Sequence, residues 1–316
     1  MKSRNKKVLV TGGAGFVGSA VCRELLRKGY FVVVLDNLSR GFKSAVPKGA
    51  QFIKGDLRNK NDVNKALKGV DCVIHCAAKL VIPESFSNPV EFLEVNVLGT
   101  LNLLNAMHEK KIKNLVFSST AGVYSEKTKS PIKEYYEKIP YSPYGGSKLA
   151  MELIMHAYYL ASGLNVTILR YFNPYGPGYF IDPPQHAVPM FFTKALAHQP
   201  IPVYGDGLME RDYIYIDDLA SVHVKAMMQK GFKVYNVGGG RGVSIIEIVQ
   251  EIIKVTKSKS EIKHVTTPPG YPARMFADIS KIKKEIGWSP KVSLNAGIKK
   301  TYDLFYKNYK KAKQPR

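Results

Sequence analysis

The sequence predicts an α/β chain: a doubly wound parallel sheet with a second, smaller α/β domain. Three observations predict it. Short β-branched runs alternate with helical patterns through the first half, and continuously apolar strands separated by helices belong to a parallel sheet covered on both faces. The first of these runs passes through a glycine-rich turn into a helix. The alternation then breaks after Asn173, where Pro174, Pro177, Pro183, Pro184 and Pro189 crowd a short stretch. The expected division is 1–173 for the sheet domain and mainly 174–316 for the second domain, with a strand near 232–238 returning to the sheet.

Strands are expected at 7–11, 31–36, 51–55, 71–75, 114–118 and 165–170. Helices are expected at 17–28, 91–110 and 144–162. Asn88-Pro89 offers the second helix a cap and a first-turn proline, and Gly163 ends the third as its left-handed residue. Further on, 234–237 reads as a strand and 244–255 as an amphipathic helix. Asp278-Ile-Ser-Lys opens another helix, which Gly287 ends.

The 316 residues, 45% hydrophobic, suffice for two domains of an ordinary globular protein. No apolar run reaches the roughly 18 residues of a membrane span, and the one after the basic start is too short for a signal peptide. Cys22, Cys72 and Cys76 have neither metal-ligand spacing nor a pairing framework. They suit a reducing cytoplasm and predict no metal site. The net charge of +22 comes from lysines scattered along the whole chain. It reads as a solvated surface, not a nucleic-acid groove, and its field attracts phosphate-bearing ligands.

Gly12, Gly15 and Gly18 stand between the first strand and helix. Glycines there permit a sharp turn, close approach of a pyrophosphate to the backbone, and tight helix–strand packing, while the helix N-terminus holds the negative charge. Asp36 ends the second strand, where a carboxylate accepts from ribose hydroxyls and repels a 2′-phosphate. The domain is therefore of Rossmann type and the cofactor is NAD; Arg40, nearby, is the feature that favours NADP. Asp56-Leu57 ends the third strand. Asp56 either faces the adenine or caps the next helix.

Tyr144 and Lys148 lie four apart on one helical face. A phenol of pKa about 10 is a poor base near neutrality, but an adjacent ammonium and a positive nicotinamide stabilise the phenolate and lower that value. Thr120 closes Ser118-Ser119-Thr120 at the end of the fifth strand, the edge where doubly wound sheets bind ligands. It is placed to orient the reacting oxygen. The expected catalytic set is Thr120, Tyr144 and Lys148.

These segments, with Asp36-Asn37-Leu38-Ser39, Asn96-Val-Leu-Gly-Thr100, Arg170-Tyr-Phe-Asn173 and Tyr204-Gly-Asp-Gly, resemble the extended short-chain dehydrogenases/reductases. Within them the chain resembles the NAD-dependent epimerase/dehydratase family, above all its UDP-hexose 4-epimerase branch. The likeness runs from Lys7 to about Pro290. It implies cofactor contacts from Gly12, Gly15, Phe16, Val17, Gly18, Asp36, Asn37, Asp56, Leu57, Ala77, Asn96, Tyr144, Lys148 and Phe172. It implies substrate contacts from Asn173, Val188, Tyr204 and Arg211, with Arg211 on the diphosphate. Tyr204 has a second reading, as a core residue.

Family members that expel water or decarboxylate carry an acid just after the catalytic threonine. Ala121 and Gly122 stand there and transfer no proton. The resemblance thus implies a 4-epimerase acting on a UDP-hexose or UDP-N-acetylhexosamine through a 4-keto sugar. A nucleotide-sugar reductase or dehydrogenase that releases NADH is the nearest rival, and a non-catalytic polyanion binder the remote one. Two departures bear on the substrate. The family's second phosphate arginine is missing from Pro268-Pro269-Gly270-Tyr271, with Arg274 as its candidate replacement, and Gln185-His186 replaces an asparagine ahead of Val188. Met275, two residues before Ala277-Asp278, occupies a position that sets pocket width. The resemblance also implies a homodimer through helices 91–110 and 144–162, with Leu98, Leu101, Leu104, Leu153 and Ile154 as apolar candidates, some of which face their own sheet.

Overall fold

The computed structural model describes residues 6–178, 186–267 and 272–313. Pro183, Pro184, Gln185 and the Pro268-Pro269-Gly270-Tyr271 stretch lie outside the described residues.

The chain opens with β1 (Lys7–Thr11), α1 (Phe16–Arg27), β2 (Phe31–Asp36), β3 (Gln51–Lys54), α2 (Lys60–Ala66) and β4 (Cys72–His75). Two short helices, α3 (Ile82–Ser87) and α4 (Pro89–Phe92), lead through a π-helical stretch (Leu93–Leu98) into α5 (Gly99–Glu109). Then come β5 (Asn114–Thr120), α6 (Pro143–Ser162) and β6 (Asn165–Tyr171). The smaller region begins with β7 (Asn173–Tyr175), α7 (Ala187–Leu196), β8 (Ile201–Tyr204), β9 (Glu210–Arg211) and β10 (Tyr213–Tyr215). The chain returns through α8 (Ile216–Ala226) and β11 (Phe232–Val237). It ends with β12 (Val243–Ser244), α9 (Ile245–Thr256), β13 (Ile262–Val265), β14 (Arg274–Met275), α10 (Ser280–Ile286) and α11 (Leu294–Lys313).

Seven strands form one parallel sheet in the order β11-β6-β5-β4-β1-β2-β3. The direction of winding reverses between β1 and β4, so the crevice beyond their carboxyl ends is the ligand position of such a sheet. Alternate residues of β1 serve opposite cores. Leu9 joins Leu35, Leu103 and Met155 on one face, whereas Val8 and Val10 join Val21, Leu25, Leu219 and Val222 on the other. That second core continues without a break into Phe192, Ile201 and Ile252 of the smaller region.

The strand at 232–237 returns to the sheet as an edge, paired with β6 from Val166↔Phe232 to Tyr171↔Val237. α8 returns with it and packs on α1. The expected helix at 91–110 is not continuous. Asn88 makes no side-chain cap, and the six residues from Leu93 to Leu98 take π geometry. Gly163 ends α6 and Gly287 ends α10, both left-handed. Leu104 is buried in its own sheet's core and Ile154 packs against that core, so neither is available to a partner. Leu98 and Leu153, at 53% and 62% exposure, are. Among the described residues no helix is long and apolar enough to cross a membrane.

Candidate active site

The glycine turn is built by close approach. Gly12 has φ +70° and leaves no room for a Cβ, which would lie 2.7 Å from the Ala77 nitrogen. A Cβ on Gly18 would stand 2.2 Å from the Gly12 carbonyl oxygen, so α1 packs on the turn only as glycine allows. Gly15 meets only that oxygen, at 3.3 Å, and leaves its other side open. It precedes α1, whose N-terminus carries no side-chain cap and no acidic residue in its first turn, Phe16 and Val17 included. An uncapped, glycine-lined N-terminus of a three-turn helix fits a pyrophosphate.

Asp36 fixes this turn from the next strand. Its Oδ2 accepts from Ala14 N at 2.9 Å and its Oδ1 from Leu38 N at 2.8 Å. Asn37 donates to Asp56 (2.9 Å), which also receives the Arg58 guanidinium at 2.8 and 3.0 Å; these contacts hold the Asp56 carboxyl well below the usual carboxylate range. Asp56 does not cap the following helix. Asn59 does, accepting from Asn61 N and Asp62 N. Arg40, the residue that favoured NADP, is ion-paired with Glu84. Together with the anionic edge at Asp36, this pairing fits NAD.

The wall beside Gly12 is the segment after β4. Ala77 N donates to Thr11 Oγ1. Asn96, buried in the π-helical stretch, clamps Lys79 with both ends of its amide and donates to Ser147 Oγ at 2.9 Å. Leu57 is buried against Gly99 on the opposite side, and Phe172 is buried at the end of β6.

Thr120 and Tyr144 meet, and two local features bring them together. Ser142 caps α6 by accepting from Gly145 N at 3.1 Å, with Pro143 in the first turn. Gly145 then presses on the turn after β5, where a Cβ would lie 2.4 Å from Gly122 O. Thr120 Oγ1 accepts from Gly122 N, and the Thr120 hydroxyl is the neighbour that acts on the Tyr144 phenol. Lys148 is buried, donates from Nζ to Ser118 O at 2.8 Å and lies 4.7 Å from the Phe117 ring centre.

Burial pushes the Tyr144 phenol up to about 12 against the opposing Thr120 hydrogen bond, and burial also lowers Lys148 to about 8. Lys148 gives one of its three donors to a carbonyl. That bond anchors α6 to β5.

Three buried groups around this pair escaped the sequence reading. Arg170 forms an ion pair with Glu152 at 2.5 Å, and Glu152 accepts from Ser119 Oγ. His223 accepts from Ser118 Oγ while its other nitrogen donates to Leu219 O, both at 2.8 Å. His75 lies between Thr11 Oγ1 (2.7 Å) and Thr100 Oγ1 (3.0 Å). Apart from Leu219, one helical turn before His223, the partners are 18 to 105 residues apart, so no local spacing announces them.

On the substrate side, Asn173 donates twice to Asp212 O, from its backbone at 3.0 Å and its side chain at 2.9 Å. Arg211 Nη1 donates to the carbonyls of Glu210 and Pro272, both at 2.8 Å. Tyr204 is 42% exposed at the end of β8 and is not a core residue, whereas Val188 is buried in α7. β14 runs parallel to β9 with Arg274 opposite Glu210 and Met275 opposite Arg211. Arg274 therefore shares the face of Glu210, to which it is ion-paired at 2.6 Å. The alternation of side chains along a strand puts Arg211 on the other face, so Arg274 does not converge with it as a second phosphate arginine. Met275 does share the face of Arg211.

Residues 8–238 match the model of the NAD dependent epimerase/dehydratase family. The chain is 37% identical over 302 residues to a UDP-glucose 4-epimerase of Lacticaseibacillus casei, covering 90% of this chain and 91% of that one. Its fold is similar to the UDP-glucose 4-epimerase of Thermotoga maritima, solved with UDP-glucose (TM-score 0.92, 32% identity, 96% of this chain and 99% of that one). It is equally similar to a UDP-N-acetylglucosamine 4-epimerase of Methanobrevibacter ruminantium M1, solved with UDP-N-acetylmuramic acid (TM-score 0.92, 31% identity, 96% and 99%).

Proposed function

The chain belongs to the NAD-dependent epimerase/dehydratase family, and from that premise we propose that it interconverts nucleotide sugars by inverting carbon 4, with a UDP-hexose or its N-acetylated counterpart as substrate. The observation that carries this reading is the packing of Gly145 on the Gly122 carbonyl, which sets Tyr144 beside Thr120, with Ala121 and Gly122 following Thr120. A hydroxyl pair serves proton exchange with a sugar hydroxyl. The absence of an acid after Thr120 disfavours water expulsion and decarboxylation.

The sheet with α8 takes the cofactor and the smaller region takes the substrate. Gly12, Gly15 and Gly18 receive the pyrophosphate; Asp36, Asn37 and Asp56 receive the adenosine end. The chemistry supplied by bound NAD is removal of hydride from the sugar, its return to the opposite face, and positive charge beside the phenol. Tyr144 takes the proton of the 4-hydroxyl and later returns it, and Thr120 orients that oxygen. Lys148, Asn96 and Ser147 hold α6 in place. Arg211 and Asn173 retain the diphosphate, with Val188 and Tyr204 on its nucleoside side, while the 4-keto sugar turns over.

The free thiols of Cys22, Cys72 and Cys76 suit the cytoplasm. The exposed Leu98 and Leu153, with Val90, Leu93 and Leu160, support a homodimer through the α4–α5 and α6 faces. Sedimentation showing a monomer at micromolar concentration would count against that assembly.

The test of function is incubation with a panel of nucleotide sugars and analysis of products by NMR. Interconversion of UDP-glucose and UDP-galactose without net NADH is expected. Stoichiometric NADH release, or no turnover of any UDP-sugar, would reject the reading.

A further inference from the structure

We propose that Asp212 is the positioning residue of the substrate diphosphate site, acting through Arg211 and Asn173. The inference rests on the reading that these two residues bind the diphosphate. Asp212 follows Arg211 in the chain and is fully buried. Its carboxylate collects backbone N–H groups from two distant segments: Oδ1 accepts from Gly239 at 2.5 Å, and Oδ2 accepts from Gly240 at 3.2 Å and Ala277 at 3.0 Å. Its own carbonyl takes both donors of Asn173, and its N–H donates to Met275 O at 3.2 Å. One residue thus ties the loop after β11, the strand carrying Met275 and the strand end carrying Asn173 to the strand carrying Arg211.

The chemistry requires a carboxylate. Three N–H groups aim at two oxygens, and only an ionised carboxylate presents acceptors alone on both atoms. An asparagine turns an N–H₂ toward at least one N–H donor and leaves a buried donor unmatched. Space is equally restrictive, since a Cβ on Gly238 would lie 2.2 Å from Asp212 Oδ2. Because Arg211 and Asp212 are adjacent, their side chains leave the backbone on opposite sides. Fixing Asp212 inward fixes where the Arg211 guanidinium emerges. No part of this network touches the glycine turn or Tyr144.

The test compares Asp212→Asn, Arg211→Ala and the double variant in the full chain, with UDP-glucose as substrate and UDP as binding probe. Asp212→Asn is expected to raise KM and weaken UDP binding by about tenfold or more, while kcat stays within about threefold and bound NAD is retained. The double variant is expected to lose less UDP affinity than the two single losses added together, because Asp212 acts in part through Arg211. Additive losses, an unchanged KM, or a joint fall of kcat, KM and NAD content would overturn the proposal. If Asp212→Asn does not fold, Asp212→Ser replaces it, removing the carboxylate without the clash of donors, and the same outcomes apply. Failure of the functional reading is distinct: wild-type protein would then bind no UDP.

Discussion

Gly145, in the first turn of the helix that carries Tyr144 and Lys148, rests on the carbonyl of Gly122 with no space for a methyl group between them. The helix start and the turn after Thr120 are therefore one packed unit, which sets Tyr144 beside Thr120. The placement of the proposed reacting pair is preset by two residues with no side chain.

Tyr144→Phe removes the proton acceptor and leaves this packing intact. Turnover is expected to fall by about two to four orders of magnitude, the range for loss of acid–base catalysis. NAD content after purification is expected to match wild type. Turnover near the wild-type rate would eliminate Tyr144 as the base.

Gly18→Ala places a methyl group 2.2 Å from the Gly12 carbonyl oxygen. Overpacking of this kind costs about 1–3 kcal/mol, and here it also distorts the turn proposed to hold the pyrophosphate. Weaker NAD binding and a lower Tm are expected together. A variant that retains both its NAD and its melting temperature would show that the turn tolerates expansion.

Met275 is opposite Arg211 in the β9–β14 pair and shares its face. A flexible, unbranched side chain yields space that a tyrosine ring does not. Both plain and N-acetylated UDP-hexoses are expected to be accepted, separated by less than ~3 kcal/mol in kcat/KM. Met275→Tyr is expected to depress the N-acetylated substrate selectively. An unchanged substrate ratio would put the pocket wall elsewhere.

His75 and His223 are buried, and burial lowers them to about 3 and about 4. A histidine whose folded pKa lies below its unfolded value near 6.5 contributes nothing to pH dependence above that value. As pH falls from 6.5, the unfolded chain binds a proton that the folded chain refuses until about pH 4 for His223. Each such group then removes about 1.4 kcal/mol of stability per pH unit. Asp212, raised by burial to about 6, acts in the opposite sense as pH falls from there toward 3.8. The informative quantity is therefore the difference between His223→Asn and wild type. Denaturant titrations are expected to show the variant losing less stability than wild type between pH 6.5 and 4. Parallel curves would refute the assignment.

What was legible in the sequence is what local spacing encodes. Gly12, Gly15 and Gly18 occupy one turn, and Tyr144 and Lys148 one helical face; Gly163 marks that helix's end. Long-range pairing was not legible. Arg274 read as a phosphate ligand because only the β9–β14 register reveals that it belongs with Glu210. The bond from Lys148 to the Ser118 carbonyl, thirty residues away, is likewise invisible to spacing. The π-helical stretch around Asn96 was missed because apolar periodicity continues through it, while its purpose, clamping Lys79 and Ser147, is tertiary.

The returning pair α8 and β11 has a mechanical consequence. The backbone leaves the sheet after β6, comes back through α8 to β11, and leaves again at β12, so the two regions are stitched by three separate passes. A single apolar core lies beneath the stitching. Such a joint resists bending about any one axis, because a hinge needs connections that swing together. Access to the crevice must come from surface loops and side chains, with the two halves staying in step. On heating, the chain is expected to come apart in one calorimetric transition.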